Sequence, residues 1–529
     1  MLADANAQAC KQSGDVERTT CNPCRELLDL ERQMLEVRSV WEEMNKRHNQ
    51  LKTAVNGVHD IITNRLPPEV MSAIFEFYCY DNSHLIWSMP EEIPNPLILG
   101  AVCRSWRKIA WSSRRLWTRI SILIRIPDAT ATQIDNVVEV AREWLDRGGQ
   151  LPLEIAFRME INDYFHSHRL HNDKLHGNTC STLLPVLDVI KQHYSRWRDV
   201  CVDVCPTLLP HVFRGLKGTA RLRNLELSNA CTNGAFEGSL SMDEVVLGPS
   251  FLRVTAIQLR FVNVFWNNVT SFQGYDLSMD QCIELLRLAP RLEKCEVEEI
   301  SPCSSLSHQP TEPIVQSQLK RLELRMKQDG LQWSRSSDLL NLLFANVTLP
   351  SLTRLSWEVR EEDHCKVLSP STFESFVRRS SCRLKELSIT TRSKADEFYP
   401  FICSTHHLTS LSLDMVQQPS HFHLFFFRLG PMSISWHRQG LEVLLPSLER
   451  LRINIETSEV ETFPWNFVPD IFGLSDQHRP LKDLSIFLRH SDTTSPPTYN
   501  LDPSVVSKCK QLQATGVNLR ICIDSKVLL

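Results

Sequence analysis

The sequence predicts an α/β chain in which a long N-terminal helix and a small helical module precede an irregular solenoid of parallel strands with return helices. Three observations predict it. A heptad apolar stripe starts at Leu27, an ordered set of Pro, apolar and Trp positions spans Leu66 to Ile120, and a Leu-x-x-Leu-x-Leu frame recurs from residue 222 onward. At 529 residues the chain exceeds one small core, so several structural units are expected.

Charge narrows the partner little. With 58 Lys and Arg against 62 Asp and Glu the net charge is -4, so no global field favours nucleic acid or an anionic membrane. The 17 Cys, among them Cys201, Cys205, Cys295 and Cys522, lack the close spacing of a disulfide framework, which predicts reduced thiols. The N-terminus from Met1 to Asp4 shows no basic region followed by an apolar core. The most apolar run, Phe422 to Leu429, is interrupted by His423 and Arg428 and falls short of the ~20 residues a spanning helix needs. A cytoplasmic or nuclear location with no membrane partner is the expectation.

Residues 1–20 are polar and are expected to be a disordered tail. Across 21–64, Leu27, Leu30, Met34, Val37, Trp41, Met44, His48, Leu51, Val55, Val58 and Ile62 follow at alternating steps of three and four, the period of a helix with one apolar stripe. Packing of that stripe on its own chain is the simpler expectation. The alternative is a coiled coil that pairs two copies through residues 27–62. Pro67 and Pro68 then suit a first helical turn, so Glu69 to Tyr78 is expected to be a helix with Val70, Ile74 and Phe75 inward. After a Pro-containing loop, Leu99, Val102, Trp106 and Ile109 predict one further helix, with Arg104, Arg107 and Lys108 outward. Leu116 and Trp117 cap a module placed at 65–121.

The order Leu66-Pro67-x-Glu69-Val70, Ile74-Phe75, a variable loop, Val102-Cys103-Arg104-x-Trp106-Arg107-x-Ile109-Ala110 and Leu116-Trp117 resembles the F-box, the helical module that attaches ubiquitin-ligase substrate receptors to a Skp-type adaptor. The match covers about a tenth of the chain, and its specificity lies in the ordered combination. Together with the preceding heptad helix it is similar to F-box proteins common in mushroom-forming fungi. The resemblance implies an adaptor-facing surface of Leu66, Pro67, Val70, Ile74, Phe75, Leu97, Leu99 and Val102. It implies a packing role for Trp106, Ile109 and Trp117.

Residues 122–529 form the expected repeat domain. Two helix-then-strand units come first: Ile134 to Leu145 stopped by Gly148-Gly149, then Leu153, Ile155 and Phe157; and Leu183 to Trp197, then Val200, Val202 and Val204. From there a frame repeats at Leu222-Leu225-Leu227, Leu319-Leu322-Leu324, Leu384-Leu387-Ile389, Leu408-Leu411-Leu413, Leu448-Leu451-Ile453 and Leu481-Leu484-Ile486. Looser copies are Val254-Ile257-Leu259, Leu292-Cys295-Val297 and Leu352-Leu355-Trp357, with helix-like stretches at 279–288, 338–344 and 372–379. Alternate apolar residues pointing into a stacked core predict a solenoid. The frame resembles leucine-rich repeats, although its spacing is irregular and the usual Asn after the strand is mostly absent.

Sites for chemistry are weak. Cys21 and Cys24 have metal or redox spacing without two further ligands, and His166, His168, His171, His176 and Cys180 lie in a polar stretch best read as a solvated loop. Cys403 with His406 or His407 could form a nucleophile pair, but no orienting partner is identifiable. The Phe425 to Phe427 run is expected in a buried loop-to-strand segment. No metal, cofactor or catalytic site is expected. The combination implies a non-catalytic receptor that binds a Skp-type adaptor, through it a cullin, and an unidentified target protein. Residues flanking the strand Leu positions are expected to line the target face: Arg321, Glu323, Arg325, Glu386, Ser388, Ser410, Ser412, Asp414, Arg450, Arg452 and Asn454. Their mixed charge favours a protein target over nucleic acid. The rivals are a scaffolding repeat protein without a ubiquitin-ligase role and a hydrolase using the Cys403 pair.

Overall fold

The computed structural model describes residues 22–59, 65–80, 95–126, 130–161, 182–205, 208–213, 216, 222–230, 247–262, 264–302, 313–327, 336–359, 368–391, 401–416, 422–430, 444–457, 462–472, 480–490, 502–524 and 526–528. The chain divides into two compact units, Met1–Trp117 and Thr118–Leu529, so the division falls at Trp117 rather than after residue 121.

In the first unit, helix α1 runs over Asn22–His59. Its stripe does not pack on its own chain. Leu27, Leu30, Met34, Val37, Trp41, Met44, Leu51 and Val55 are all exposed, between 41 and 69%. Helix α2 spans Pro68–Tyr80, with Glu69 in the first turn, where a carboxylate meets the positive end of the helix dipole. Its inward residues are Met71, Phe75 and Cys79. Val70 and Ile74 face out, contrary to the expected inward placement, because the buried row steps by four from Met71 and leaves each preceding residue a hundred degrees away.

The single helix expected around Leu99 to Ile109 is two. Helix α3 is Pro96–Val102 and helix α4 is Arg104–Ser112. Cys103 breaks them with extended backbone (φ -154°, ψ 172°), and its Sγ accepts from the Trp106 amide at 3.4 Å, so one residue ends the first helix and caps the second. Asn95 caps α3 by accepting from the Leu97 amide. A 3-10 turn, Arg114–Trp117, delivers Leu116 and Trp117 to the interior. There Trp117 Nε1 donates to the Ala110 carbonyl at 2.9 Å, and Trp111 meets the Trp117 ring edge-on at 5.1 Å. Phe75 and Trp106 lie 4.9 Å apart between ring centroids. Gly100 permits this closeness, since a Cβ there would meet the Trp111 ring at 2.0 Å.

The second unit is mixed α/β and is built on a largely parallel sheet of 15 strands among the described residues. The strands are β1 Arg119–Ile126, β2 Leu153–Ile161, β3 Trp197–Val204, β4 Asn224–Asn229, β5 Phe251–Thr255, β6 Ser271–Tyr275, β7 Lys294–Ile300, β9 Arg321–Met326, β11 Arg354–Val359, β12 Glu386–Thr391, β13 Ser410–Val416, β14 Arg450–Thr457, β15 Asp483–His490, β16 Asn518–Ile523 and β17 Lys526–Val527. A separate parallel pair joins β8 Ile314–Val315 to β10 Val347–Thr348. Each strand of the large sheet lies beside its neighbours in sequence, an order compatible with a solenoid, and only β17 runs antiparallel. Register is carried by a staircase of backbone bonds. Lys320 O accepts from Thr353 N and Arg354 N, Thr353 O from Lys385 N and Glu386 N, and Lys385 O from Thr409 N and Ser410 N.

Alternation then decides the faces. Leu322, Leu355, Leu387, Leu411, Leu451 and Leu484 are in register and buried, as are Leu324, Trp357, Ile389, Leu413, Ile453 and Ile486. Helices α5 Ala131–Arg147, α6 Leu184–Gln192, α8 Met279–Leu288, α9 Ser336–Asn346 and α10 Pro370–Ser380 bridge successive strands, with the five-residue α7 Leu209–Phe213 before β4. An aromatic cluster of Phe344, Trp357, Phe373, Phe376 and Phe401 joins strand to helix, with Phe344 and Phe376 centroids 4.8 Å apart. Helix α11 is Phe422–Leu429, before β14, and α12 is Pro503–Ala514, between β15 and β16.

Four expectations for this unit are corrected. The copy at Val254-Ile257-Leu259 is out of frame: Leu252 and Val254 are the buried strand pair, and Ala256 turns the chain with φ 54°. Trp197 opens a strand and does not end a helix. Phe425 and Phe426 are buried in a helix, where Phe422 and Phe463 pack on them. Cys205 is disulfide-bonded, whereas Cys201, Cys295, Cys382, Cys509 and Cys522 remain thiols.

Candidate functional site

Two surfaces, one in each unit, carry the residues singled out by sequence. On the first, Leu66 is half-buried and Pro67 exposed at the entry to α2. Val70, Ile74, Phe77 and Tyr78 are exposed at successive turns of that helix. Leu97, Ile98 and Val102 are exposed on α3. Seven exposed apolar side chains on two short helices exceed the scattered single residues normal for a protein surface.

Phe75 and Leu99 do not belong to this surface. At 1% and 5% exposed they are core residues, and a partner cannot touch them in this conformation. Trp106, Ile109 and Trp117 occupy the interior, Trp106 partly. Sequence reasoning missed Phe77, Tyr78 and Ile98. Phe77 and Tyr78 lie seven and eight residues after Val70, so the helical period alone could have found them.

The second surface is the sheet face opposite the buried Leu rows. Three rows of side chains cross it in register. The first includes Lys294, Arg321, Arg354, Glu386, Ser410, Arg450 and Asp483; the second Glu296, Glu323, Ser356, Ser388, Ser412, Arg452 and Ser485; the third Arg325, Glu358, Thr390, Asp414, Asn454 and Phe487. All eleven expected target residues therefore share one face.

Their charges are largely paired. Arg321 Nε donates to Glu323 at 2.6 Å, Arg325 bridges Glu298 at 2.8 Å and Glu358 at 2.9 Å, and Arg354 meets Glu386 at 2.6 Å. The Arg354 hydrogen bond holds the Glu386 carboxyl below its ordinary range, with Arg450 3.7 Å away adding to the effect. Exposed pairs of this kind contribute only about 0–1 kcal/mol each, so the fold does not depend on them. Asn454 Nδ2 donates to Asp414 at 3.0 Å. Ser356, Ser388 and Ser412 adjoin in one row that continues to Arg452, with Arg354 and Arg450 in the neighbouring row. Phe487, which the Leu frame could not single out, carries Arg452 over its ring at 5.0 Å and Arg520 at 5.6 Å.

Farther toward β1 the same face is mostly half-buried, with Ala156, Asp199 and Cys201 fully covered. Burial pushes the Cys201 thiol up to about 12 and raises the Asp203 and Glu226 carboxyls. Among the described residues Asp203 Oδ1 and Glu226 Oε2 have no hydrogen-bond partner, and Arg253 stands 3.6 Å from the latter.

Cys403 is half-buried and His406 and His407 are exposed. Cys21, the Cys24 side chain, the His166 to Cys180 cluster and most of the loop before Asn95 lie outside the described residues. Among the described residues no group of three or more His, Cys, Asp or Glu is placed to hold a metal ion, and no helix is long and apolar enough to cross a membrane. Comparison with protein-family models and with curated proteins gives no match for this chain.

Proposed function

We propose that this chain is a non-catalytic substrate receptor of a Skp-cullin-F-box ubiquitin ligase, with an F-box at 65–117 and a leucine-rich-repeat array from Thr118 onward. The carrying observation is the pair of exposed apolar rows on α2 and α3, set on a core that Phe75, Leu116 and Trp117 fill. A helical module that leaves Val70, Ile74, Phe77, Leu97, Ile98 and Val102 in water suits a partner with an apolar groove. The F-box resemblance identifies that partner as a Skp-type adaptor, and through it a cullin.

Target binding falls to the polar sheet face, centred on the strip of Ser356, Ser388 and Ser412 flanked by Arg354, Arg450 and Arg452. Its Arg side chains suit an acidic protein segment, which would exchange the internal Glu partners for its own carboxylates. Holding a target beside a charged conjugating enzyme raises the local concentration of its lysines, and this requires no catalytic group in the receptor. The cytoplasm or nucleus is the compartment this role implies. Co-purification with a Skp-type adaptor tests the reading: retention by the wild-type chain, with loss on Ile74→Lys, supports it, and absence of adaptor from the wild-type chain contradicts it. The exposed stripe of α1 favours a second role in assembly.

A further inference from the structure

We infer that helix α1 pairs antiparallel with α1 of a second copy of this chain. A surface helix of this length owes most of its stability to packing of its apolar face, and here that face is bare from Leu27 to Val55. The occupant is encoded in the helix itself. Read as heptads with Leu27 at position a, the seam has Met34, Trp41, His48 and Val55 at a and Leu30, Val37, Met44 and Leu51 at d. Turned end for end, the helix matches itself: Leu30 meets Val55 of the second copy, Met34 meets Leu51, Val37 meets His48, and Trp41 meets Met44. All four matches share one register, and each occurs twice. The single polar ring, His48, then faces Val37, and the bulkiest residue, Trp41, lies beside flexible Met44 near the centre.

Charge selects this orientation over the parallel one. Positions e and g flank the seam and set partner orientation. In the parallel pairing Glu26 would face Glu31 of the partner copy and Arg47 would face Lys52, like against like on both sides. In the antiparallel register Glu31 faces Lys52 twice. Arg32 pairs locally with Asp29 and Arg38 with Glu42 at 3.1 Å, whereas Glu31 and Lys52 take no such partner among the described residues and are open to a second chain. Val40, exposed beside the seam, falls next to Arg47 of the second copy, whose aliphatic stem can cover it. The two His59 ends would then lie about 50 Å apart, and the segments beginning at Leu66 would leave from opposite ends of the stem.

The full chain carrying Leu30→Cys and Val55→Cys tests this by bismaleimide cross-linking, peptide mapping and light scattering. Within one helix the two positions are about 38 Å apart, beyond the reach of a short linker, so a 30-to-55 linkage must join two chains. A dimeric mass with linked 30-to-55 peptides is the result expected. Linked 30-to-30 and 55-to-55 peptides would overturn the orientation, and a monomeric mass for the wild-type chain would overturn the pairing. Glu31→Lys gives an independent readout that leaves the seam intact. In the antiparallel register it sets Lys against Lys twice and raises the dimer Kd about tenfold; in a parallel pairing it relieves Glu26 and lowers the Kd, which would contradict the assignment.

Discussion

Ile74 and Phe75 are neighbours in sequence and opposites in the fold: one is 45% exposed and the other 1%. The helix separates an exposed apolar row from core packing at this single step. Ile74→Lys and Val70→Lys should therefore leave thermal unfolding within about 0.5 kcal/mol of wild type, as for surface substitutions in general. Phe75→Ala should cost about 3–5 kcal/mol by opening a cavity against Trp106. Chemical denaturation of the three variants checks the contrast, and equal losses for Ile74 and Phe75 would refute it.

Trp117 and Trp106 of the module should respond differently to Phe. Trp117 Nε1 donates to Ala110 O at 2.9 Å, while Trp106 Nε1 is buried without a partner among the described residues. Trp117→Phe loses both volume and the indole bond to Ala110 O, which keeps the 3.3 Å bond from Ser113 N, about 0.5–1.5 kcal/mol beyond the cavity cost. Trp106→Phe removes an orphaned donor along with its volume and should cost less. Denaturant midpoints rank the two, and the reverse order would contradict the hydrogen-bond account.

Gly274 stands where the Val269-x-x-Phe272 frame calls for an apolar residue. Restoring the pattern with Gly274→Leu should destabilise the chain by about 1–3 kcal/mol, because a Cβ would lie 2.6 Å from Leu277 Cδ1 and 2.9 Å from Phe272 Cε1. Calorimetry of this variant should show a lower Tm.

Two carboxyls of the sheet face should give opposite pH dependences. Hydrogen bonding from Arg354 lowers the Glu386 value below 4.5, so its stabilising contribution is present above that pH and is lost as pH falls through the folded value. Burial raises the Glu226 value above 4.5, so the folded state binds the proton first and ionisation costs stability as pH climbs. Glu386→Gln should therefore lose most, relative to wild type, near neutral pH. Glu226→Gln should gain most there. Urea titrations at pH 4 and pH 7 check both signs.

Much of the architecture was legible because the strand frame is self-reporting. Leu322, Leu387, Leu451 and Leu484 were found as buried strand residues from spacing alone. The return helices at Met279–Leu288 and Pro370–Ser380 fell where the helical stretches were expected. The frame failed where glycine or a turn residue replaced Leu: β6 was missed at Gly274, and β5 was shifted because Ala256 takes a left-handed turn that periodicity does not reveal. For the proposed docking surface, only exposure can be compared with the sequence. Val70, Ile74, Leu97 and Val102 proved exposed, but Phe75 and Leu99 did not, since an apolar residue on a short helix has no sequence mark that tells core from contact. Cys103 hid a helix break within an unbroken apolar period, because a side chain that caps the next helix looks like any small apolar residue.

The most direct measurement is titration of the full chain with a purified Skp-type adaptor by calorimetry, beside Ile74→Lys and Phe77→Ala. The account predicts saturable binding by the wild-type chain, about 30-fold weaker binding or none for Ile74→Lys, and a smaller loss for Phe77→Ala, as for a central and a flanking contact. No binding by the wild-type chain, or equal binding by Ile74→Lys, would contradict it.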